Sequence, residues 1–242
     1  MRKGPPPRFV LVGDMIRSRA IRERGKMAQR VEAQVRLVNR RWRDAWVAPL
    51  TTTRGMDEIS GVLRDARPAF DIVVFLNAAL HPARFRSALA SGAVDVAPKS
   101  GDAAAMDGPA FHHAADALAQ ARRRGLPFVA AIEGAPLEVC GLVEATAKLH
   151  DVVSSSWTSR EAEAVHIYRL VGTQAAVARR LRITQQAVSD ALSRARFSEL
   201  AVAEDAIRAW LQQVAVTSDP QTGGRGWTQT RSSHSPQSRP RR

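Results

Sequence analysis

Cysteine is almost absent from this chain of 242 residues, in which Cys140 stands alone. One cysteine can form neither an intrachain disulfide nor a cysteine-based metal cluster, and we interpret Cys140 as a small core residue. The signatures of three large enzyme classes are missing as well, because the chain has no GxxxxGKS/T, HExxH or GxSxG motif. The sequence therefore does not predict a P-loop NTPase, a zinc peptidase of the HExxH type or an α/β-hydrolase.

Long hydrophobic runs are also missing. No apolar stretch approaches the ~18–20 residues that a membrane-spanning helix needs. The apolar segment FVLV near the N-terminus is too short for a signal peptide, and Asp14 ends it. We therefore expect a cytoplasmic protein without a membrane partner.

Acidic residues are outnumbered, with 23 Asp and Glu against 36 Lys and Arg and a formal net charge of +13. Thirteen basic and four acidic residues lie within 1–44, and five basic and one acidic lie within 217–242. A basic excess favours nucleic acid as a partner, because binding releases counterions from the phosphates. An arginine-rich composition without any such partner explains the charge equally well.

Hydrophobic periodicity divides the chain into a part with alternating strands and helices and a part with helices alone. The first part reads as a strand ending at Asp14, a long helix broken before Pro49, a hairpin around Gly55–Asp57, and a helix at 69–80. A further strand, a helix between Pro109 and Gly125, a short strand and a last helix follow. The predicted domains are a basic leader at 1–8, an α/β domain at 9–153, a helical domain at 157–213 and a disordered basic tail at 217–242.

Residues of roughly 157 to 197 have the spacing of a helix-turn-helix module. Thr158 with Glu161 three residues later predicts a capping box that opens a first helix, and Gly172 fits its C-terminal cap. Thr173 and Thr184 are placed to cap a short second helix and a third. Apolar residues are spaced to fill the wedge between these helices: Ala178, Leu181, Ile183, Val188 and Leu192.

The polar residues left outside this core form a face of a size to enter a DNA major groove. Gln can pair with adenine, Asp can accept from cytosine, and Ser or Arg can hold phosphates or guanine. The residues assigned to DNA are Thr173, Gln174, Thr184, Gln185, Gln186, Ser189, Asp190, Ser193, Arg194 and Arg196. Because one such module contacts only a few base pairs, we expect a homodimer.

Alternatives to DNA contact remain open for this segment. Arg182 lies in the turn, where many such modules carry glycine, and a positive φ there would cost on the order of 1 kcal/mol. A helical hairpin used only for protein contact is one alternative. The module also resembles sigma-factor region 4, which implies RNA polymerase as a partner. An amphipathic helix at 198–213 is placed to pack on the module or to form a dimer seam.

Four further motifs precede the helix-turn-helix: VGDMIRSR at 12–19, MDEISG at 56–61, SALASGAV at 87–94 and MDGPAFHHAADAL at 106–118. Together they resemble the SatD family of bacterial proteins over nearly the whole chain, to about residue 212. The family pattern consists of a strand ending in GD, a GDEFQG-like hairpin and a DGPAF helix. The function of that family is poorly defined, so the resemblance by itself implies little mechanism.

The layout of these motifs also resembles the catalytic palm of class III nucleotidyl cyclases and diguanylate cyclases, which implies a ferredoxin-like α/β sandwich. In that palm, two acidic residues hold two divalent ions over a triphosphate. The resemblance implies Asp14 and Asp57, helped by Glu58, as metal ligands. It implies Mg²⁺ or a nucleotide as the cofactor, and no other cofactor is expected.

Several departures from the palm argue against catalysis. Met56 replaces the hairpin glycine, and the helix after SALASGAV lacks the Asn and Arg that cyclases use. His112 and His113 stand in that helix instead, and as neighbours they face different directions and cannot form a dyad. We therefore expect a DNA-binding transcriptional regulator whose N-terminal domain dimerises or senses a nucleotide or metal. The alternative is a nucleotide-processing enzyme with Asp14 and Asp57 as its catalytic residues.

Overall fold

The computed structural model describes residues 8–53, 55–97 and 99–217, and it has an α+β fold. One mixed sheet holds the strands β1 (Arg8–Met15), β2 (Trp46–Thr52), β3 (Glu58–Leu63), β4 (Phe85–Gly92) and β5 (Phe128–Ala131). The helices of the first part are α1 (Arg24–Arg41), α2 (Ala69–Leu80), α3 (Pro109–Arg124) and α4 (Leu137–Ser155). The helices that follow are α5 (Ser159–Val171), α6 (Gln174–Leu181), α7 (Gln185–Arg194) and α8 (Phe197–Thr217). None of the described helices is both long enough and apolar enough to cross a membrane.

The sheet has the strand order β2-β3-β1-β4-β5. Strand β1 runs antiparallel to both β3 and β4, and β2 and β3 form an antiparallel hairpin. With α1 and α2, the first four strands follow the β-α-β-β-α-β order of the ferredoxin-like arrangement. Helix α3 then carries the chain to β5, which pairs parallel to β4. The predicted α+β class is confirmed.

The two faces of the sheet are covered by different helices, and this decides where each polar residue of β1 points. Successive residues of a strand face opposite sides. Leu11 points to the layer of α1 and α2, where Val31 and Val38 are fully buried. Val10 points to the layer of α3, whose buried face consists of small residues: Ala110, Ala114, Ala117 and Ala121. Asp14, in the same alternation as Val10, also faces α3.

The predicted elements are largely present, with two differences near α1. Helix α2 spans the predicted residues 69–80, and α3 begins at Pro109 and ends with Gly125 in the left-handed conformation. Helix α1 ends at Arg41 rather than at the proline, and Pro49 lies inside β2. Strand β2 is an edge strand, where a residue without an N–H is tolerated because one side of the strand needs no partner.

The C-terminal helices share a core with the sheet domain. Helix α2 contacts both α5 and α8, and Ile207 and Leu211 of α8 belong to the main core beneath α1 and α2. Arg208 of α8 donates to both carboxylate oxygens of Asp71 on α2, at 2.8 and 2.7 Å. The predicted boundary between the two domains thus crosses a continuous packed region. The predicted leader and tail lie, apart from Arg8 and Thr217, outside the described residues.

Candidate nucleic-acid interface

Helices α5, α6 and α7 begin where the predicted caps place them, and α5 also ends at its predicted cap. The Thr158 hydroxyl accepts from the Glu161 N–H, and a Glu161 carboxylate oxygen accepts from the Thr158 N–H at 2.8 Å, which completes the capping box. Gly172 ends α5 in the left-handed conformation. The hydroxyls of Thr173 and Thr184 accept from backbone N–H groups at the starts of α6 and α7. Each cap satisfies a donor that the helix itself leaves unpaired.

A three-residue turn joins α6 to α7 and includes a strained arginine. Arg182 has φ 55° and ψ 45°, the left-handed conformation that the sequence implied for this position. The N–H of Ile183 donates to the carbonyl of Ala178 at 3.1 Å, which closes the end of α6. Turns of this length are typical of two helices that cross steeply, as in the helix-turn-helix of DNA-binding proteins.

The wedge between the helices is filled mainly as predicted. Val188 is fully buried, and Ala178 and Leu192 are nearly so. Leu181 packs against the same cluster from a half-buried position. The prediction that Ile183 fills the wedge is wrong, because its side chain is 43% exposed and contributes little to the core. The turn holds Ile183 outside the wedge, and Val177 of α6 is buried in the cluster instead.

Trp157 supports α7 through a contact that the sequence did not predict. Its indole Nε1 donates to the carbonyl of Ala195 at 2.9 Å, just beyond the end of α7. The ring is 7% exposed and packs in the same cluster as Val165 and Leu192. The only signal in the sequence was a tryptophan before a capping box, which does not by itself identify a partner 38 residues away.

The polar face assigned to DNA is largely exposed. The exposed positions are Thr173, Thr184, Gln185, Gln186, Asp190, Ser193, Arg194 and Arg196, whereas Gln174 and Ser189 are half-buried. Four members are already paired within the chain, and one of these pairs is Arg196 with Glu199 at 3.5 Å. Gln186 donates to Asp190 at 2.8 Å, and Arg194 donates to Glu161 at 3.1 Å. The bonds from the Thr158 backbone and from Arg194 lower the pKa of Glu161, so its carboxylate holds Arg194 near α5.

Three arginines beside this face were missed at the level of sequence. Arg179 and Arg180 at the end of α6 and Arg182 in the turn are exposed, and none makes an ion pair with a described residue. Basic residues in the last turn of a helix ordinarily complement its dipole. For this reason the sequence alone does not indicate whether they also bind a partner. In the fold they add positive charge next to the start of α7.

The acidic residues predicted to hold metal are distributed over both layers of the sheet. Asp14 faces α3, where its Oδ2 accepts from Arg122 at 2.6 and 3.2 Å and lies 3.6 Å from Arg86. Asp57 faces α1, where its Oδ2 accepts from Arg24 at 3.0 Å. Glu58 lies opposite Asp14 in the register of β1 and β3. The structure therefore brings Asp14 and Glu58 together and directs Asp57 elsewhere.

This donor set does not fit a divalent cation. Asp14 is 7% exposed and already carries two guanidinium groups, and a nearby cation would be repelled by both. The hydrogen bond with Asp14 raises the pKa of Arg122, so that arginine stays charged. No group of three or more His, Cys, Asp or Glu suited to a metal occurs among the described residues. We therefore derive no catalytic step from Asp14 and Asp57.

We expect the Asp14→Asn variant to be less stable than the wild type by about 1–3 kcal/mol, because Arg86 and Arg122 lose their counter-charge. Solvent screens Arg122, whose side chain is 64% exposed, so the loss is expected in the lower part of that range. Urea unfolding measures the change, and the exposed Asp116→Asn on α3 is the matched control. Equal stability of the two variants would contradict a structural role for Asp14.

Comparisons with known proteins bear on the family alone. A search of curated proteins found no match, and a search of solved structures found none either. The model of the SatD family matches residues 9–199, which include the whole sheet and the three helices described above. This match covers most of the chain, and the chain therefore belongs to the SatD family.

Proposed function

We propose that this protein is a DNA-binding transcriptional regulator that reads DNA with α7. The observation that carries the proposal is the pair α6 and α7: two short capped helices joined by a three-residue turn, with a buried apolar side and an exposed polar side. The polar side of α7 offers amides, hydroxyls and a guanidinium, the groups that recognise base edges and phosphates in a major groove.

The charge around α7 supports contact with phosphates. Segment 157–197 carries seven Arg and three acidic residues, and one of the acids, Glu161, is occupied by Arg194. Arg179, Arg180 and Arg182 make no ion pair within the described chain. Phosphate contacts supply most of the affinity of such proteins, while base contacts supply the specificity.

The sheet domain has two proposed roles in such a regulator. A single helix-turn-helix unit contacts only a few base pairs, so a homodimer would double the number of base pairs contacted. The sheet domain would dimerise, sense a small molecule, or do both. Because α5 and α8 pack directly on α2, a change in the sheet domain would act on the reading helix through shared side-chain contacts.

The test compares wild type with the Gln185→Glu/Ser193→Glu double variant. Both side chains are exposed on α7, and neither makes a hydrogen bond within the described chain. A glutamate at position 185 lies in the first turn of α7, where the helix dipole favours it, so the variant is expected to fold. Two carboxylates facing phosphates are expected to weaken DNA binding by about 100-fold. Arg194 is avoided because its change would also disturb Glu161.

Genomic fragments, including the chain's own promoter, are incubated with wild-type protein, and the dissociation constants of the retained fragments are measured by gel shift. The matched control is Gln29→Glu/Gln212→Glu, which adds the same charge at exposed positions of α1 and α8. Its affinity is expected to stay within a factor of three of wild type. No retained fragment, or equal losses in both double variants, contradicts DNA reading by α7.

A further inference from the structure

A cavity of about 620 Å³ opens at the end of the sheet where β1 finishes. Apart from Met27 of α1, its wall comes from four parts of the chain. The loop after β1 contributes Ile16 and Arg17, the start of β4 contributes Arg84 and Arg86, the turn before β5 contributes residues 125–127, and α4 contributes Lys148. The cavity is separate from α6 and α7, which contribute no residue to its lining.

Positive charge dominates this lining. The lining holds Arg17, Arg84, Arg86 and Lys148 and one acid, Asp151, which lies 3.1 Å from Arg84. Behind the lining, Asp14 lies 3.6 Å from Arg86. Side chains of like charge that converge from separate elements repel one another. Asp151 and Asp14, which Arg86 shares with Arg122, neutralise these four cations only in part, and an anion in the cavity would complete the neutralisation.

Arg86 and Lys148 are held in place but keep donors to spare. The Arg86 side chain is 14% exposed, and its Nε donates to the Leu126 carbonyl at 3.2 Å. Lys148 donates one of its three protons to the carbonyl of Gly125 at 2.9 Å. Arg17 forms no ion pair with a described residue, and its backbone is in the left-handed conformation with φ 54°. Because these cations come from separate elements, they favour a ligand whose oxygens accept from several directions at once.

The rest of the cavity wall is apolar. Ile16, Ile21, Met27, Leu126 and Pro127 lie beside the four cations. The volume falls in the range of about 300–1,000 Å³ that small-molecule and cofactor sites occupy. An inorganic phosphate ion would contact the cations and leave the apolar wall uncovered. A phosphate joined to a flat, largely apolar group would contact both.

We propose that this cavity binds a phosphorylated small molecule of nucleotide size, its phosphate held by Arg17, Arg86 and Lys148 and its base by the apolar wall. Helix α4 connects the cavity to the rest of the molecule, because His150, two residues beyond Lys148, contacts Glu204 of α8 at 2.8 Å. This proposal rests on the sensing role proposed above and names its ligand class. The test of nucleotide binding involves no DNA, so nucleotide binding and DNA binding can fail separately.

Calorimetric titration of the full chain with AMP, ADP, ATP, the guanine equivalents and inorganic phosphate tests the site. The Arg17→Asn/Lys148→Gln variant removes two charges from the lining, and asparagine tolerates the left-handed backbone at position 17. The matched control is Arg22→Asn/Lys26→Gln, which removes two charges from exposed positions outside the lining. Thermal unfolding of each variant checks that it is folded.

The expected result is one nucleotide bound per chain by wild type and control, at least tenfold tighter than inorganic phosphate. The Arg17→Asn/Lys148→Gln variant is expected to bind that nucleotide at least tenfold more weakly. Three outcomes would overturn the proposal: no nucleotide bound by wild type, equal weakening in the variant and the control, or inorganic phosphate bound as tightly as any nucleotide.

Discussion

Replacing Glu204 by alanine is expected to lower the free energy of unfolding by about 3–5 kcal/mol. The Glu204 carboxylate is 3% exposed and joins three helices. Its Oε1 lies 2.8 Å from His150 Nε2 on α4 and accepts from Arg169 Nη2 on α5 at 2.5 Å, while its Oε2 accepts from Arg169 Nη1 at 2.7 Å. Removing the carboxylate leaves the Arg169 guanidinium, itself 13% exposed, without a counter-charge.

The ionisation of Glu204 shows how strongly its partners act on it. Burial alone would raise the pKa of this carboxyl, but the hydrogen bonds from His150 and Arg169 outweigh it and lower the pKa to about 2. The carboxylate form is therefore preferred in the fold relative to the unfolded chain. Its contribution to stability is complete above about pH 4.5 and is lost as the pH falls towards 2.

Two further variants distinguish the effect of losing the ion pair from the effect of losing side-chain volume. Glu163→Ala on α5, at an exposed position, is the matched control and is expected to change the free energy of unfolding by less than about 0.5 kcal/mol. The Arg169→Met/Glu204→Leu variant removes both charges and is expected to recover much of the loss. Urea denaturation at pH 7 gives these values. A loss below 1 kcal/mol in Glu204→Ala would show that the three helices do not depend on this pair.

The helix caps and the exposed face of α7 could be predicted because they depend on residues close together in the sequence. The caps at Thr158, Thr173 and Thr184 each involve residues three positions apart, and the exposure of the α7 face follows from helical periodicity. The left-handed conformation of Arg182 was suggested by its position, where many helix-turn-helix modules carry glycine. Ile183 was misplaced because the same turn fixes its direction, which spacing along the sequence does not describe.

The remaining features depend on pairs that are distant in the sequence. Asp14 and Arg122 are 108 residues apart, and Asp71 and Arg208 are 137 apart. In the sequence, Arg122, Asp71 and Arg208 look like ordinary surface charges and Asp14 looks like a metal ligand. Only the packing of α3 and α8 shows that each has an ion-pair partner. The surroundings of Asp14 do not fit a metal ion because two arginines lie beside it. These arginines come from β4 and α3, and the sequence does not show that they meet Asp14.

The second large effect concerns His166, which lies at the contact between α5 and α2. Its ring centroid is 4.8 Å from that of Phe75, and its Nδ1 is buried without a hydrogen-bond partner in the described chain. Burial lowers the pKa of His166 to about 4, and the charges of Arg169 and Arg180 act in the same direction. Protonation would place a cation between an aromatic ring and two arginines.

The folded chain is therefore expected to lose up to about 3 kcal/mol of stability through His166 as the pH falls from 6.5 to 4, since only the unfolded state binds the proton there. The His166→Leu variant removes this term, so its advantage over wild type should grow steadily across that interval. Urea unfolding at half-unit pH steps measures the difference, with the exposed His112→Gln as the control that should follow wild type. Burial also lowers the pKa of His81, which adds to the wild-type slope but cancels in the comparison. Parallel curves for His166→Leu and wild type would contradict a lowered pKa of His166 in the folded chain.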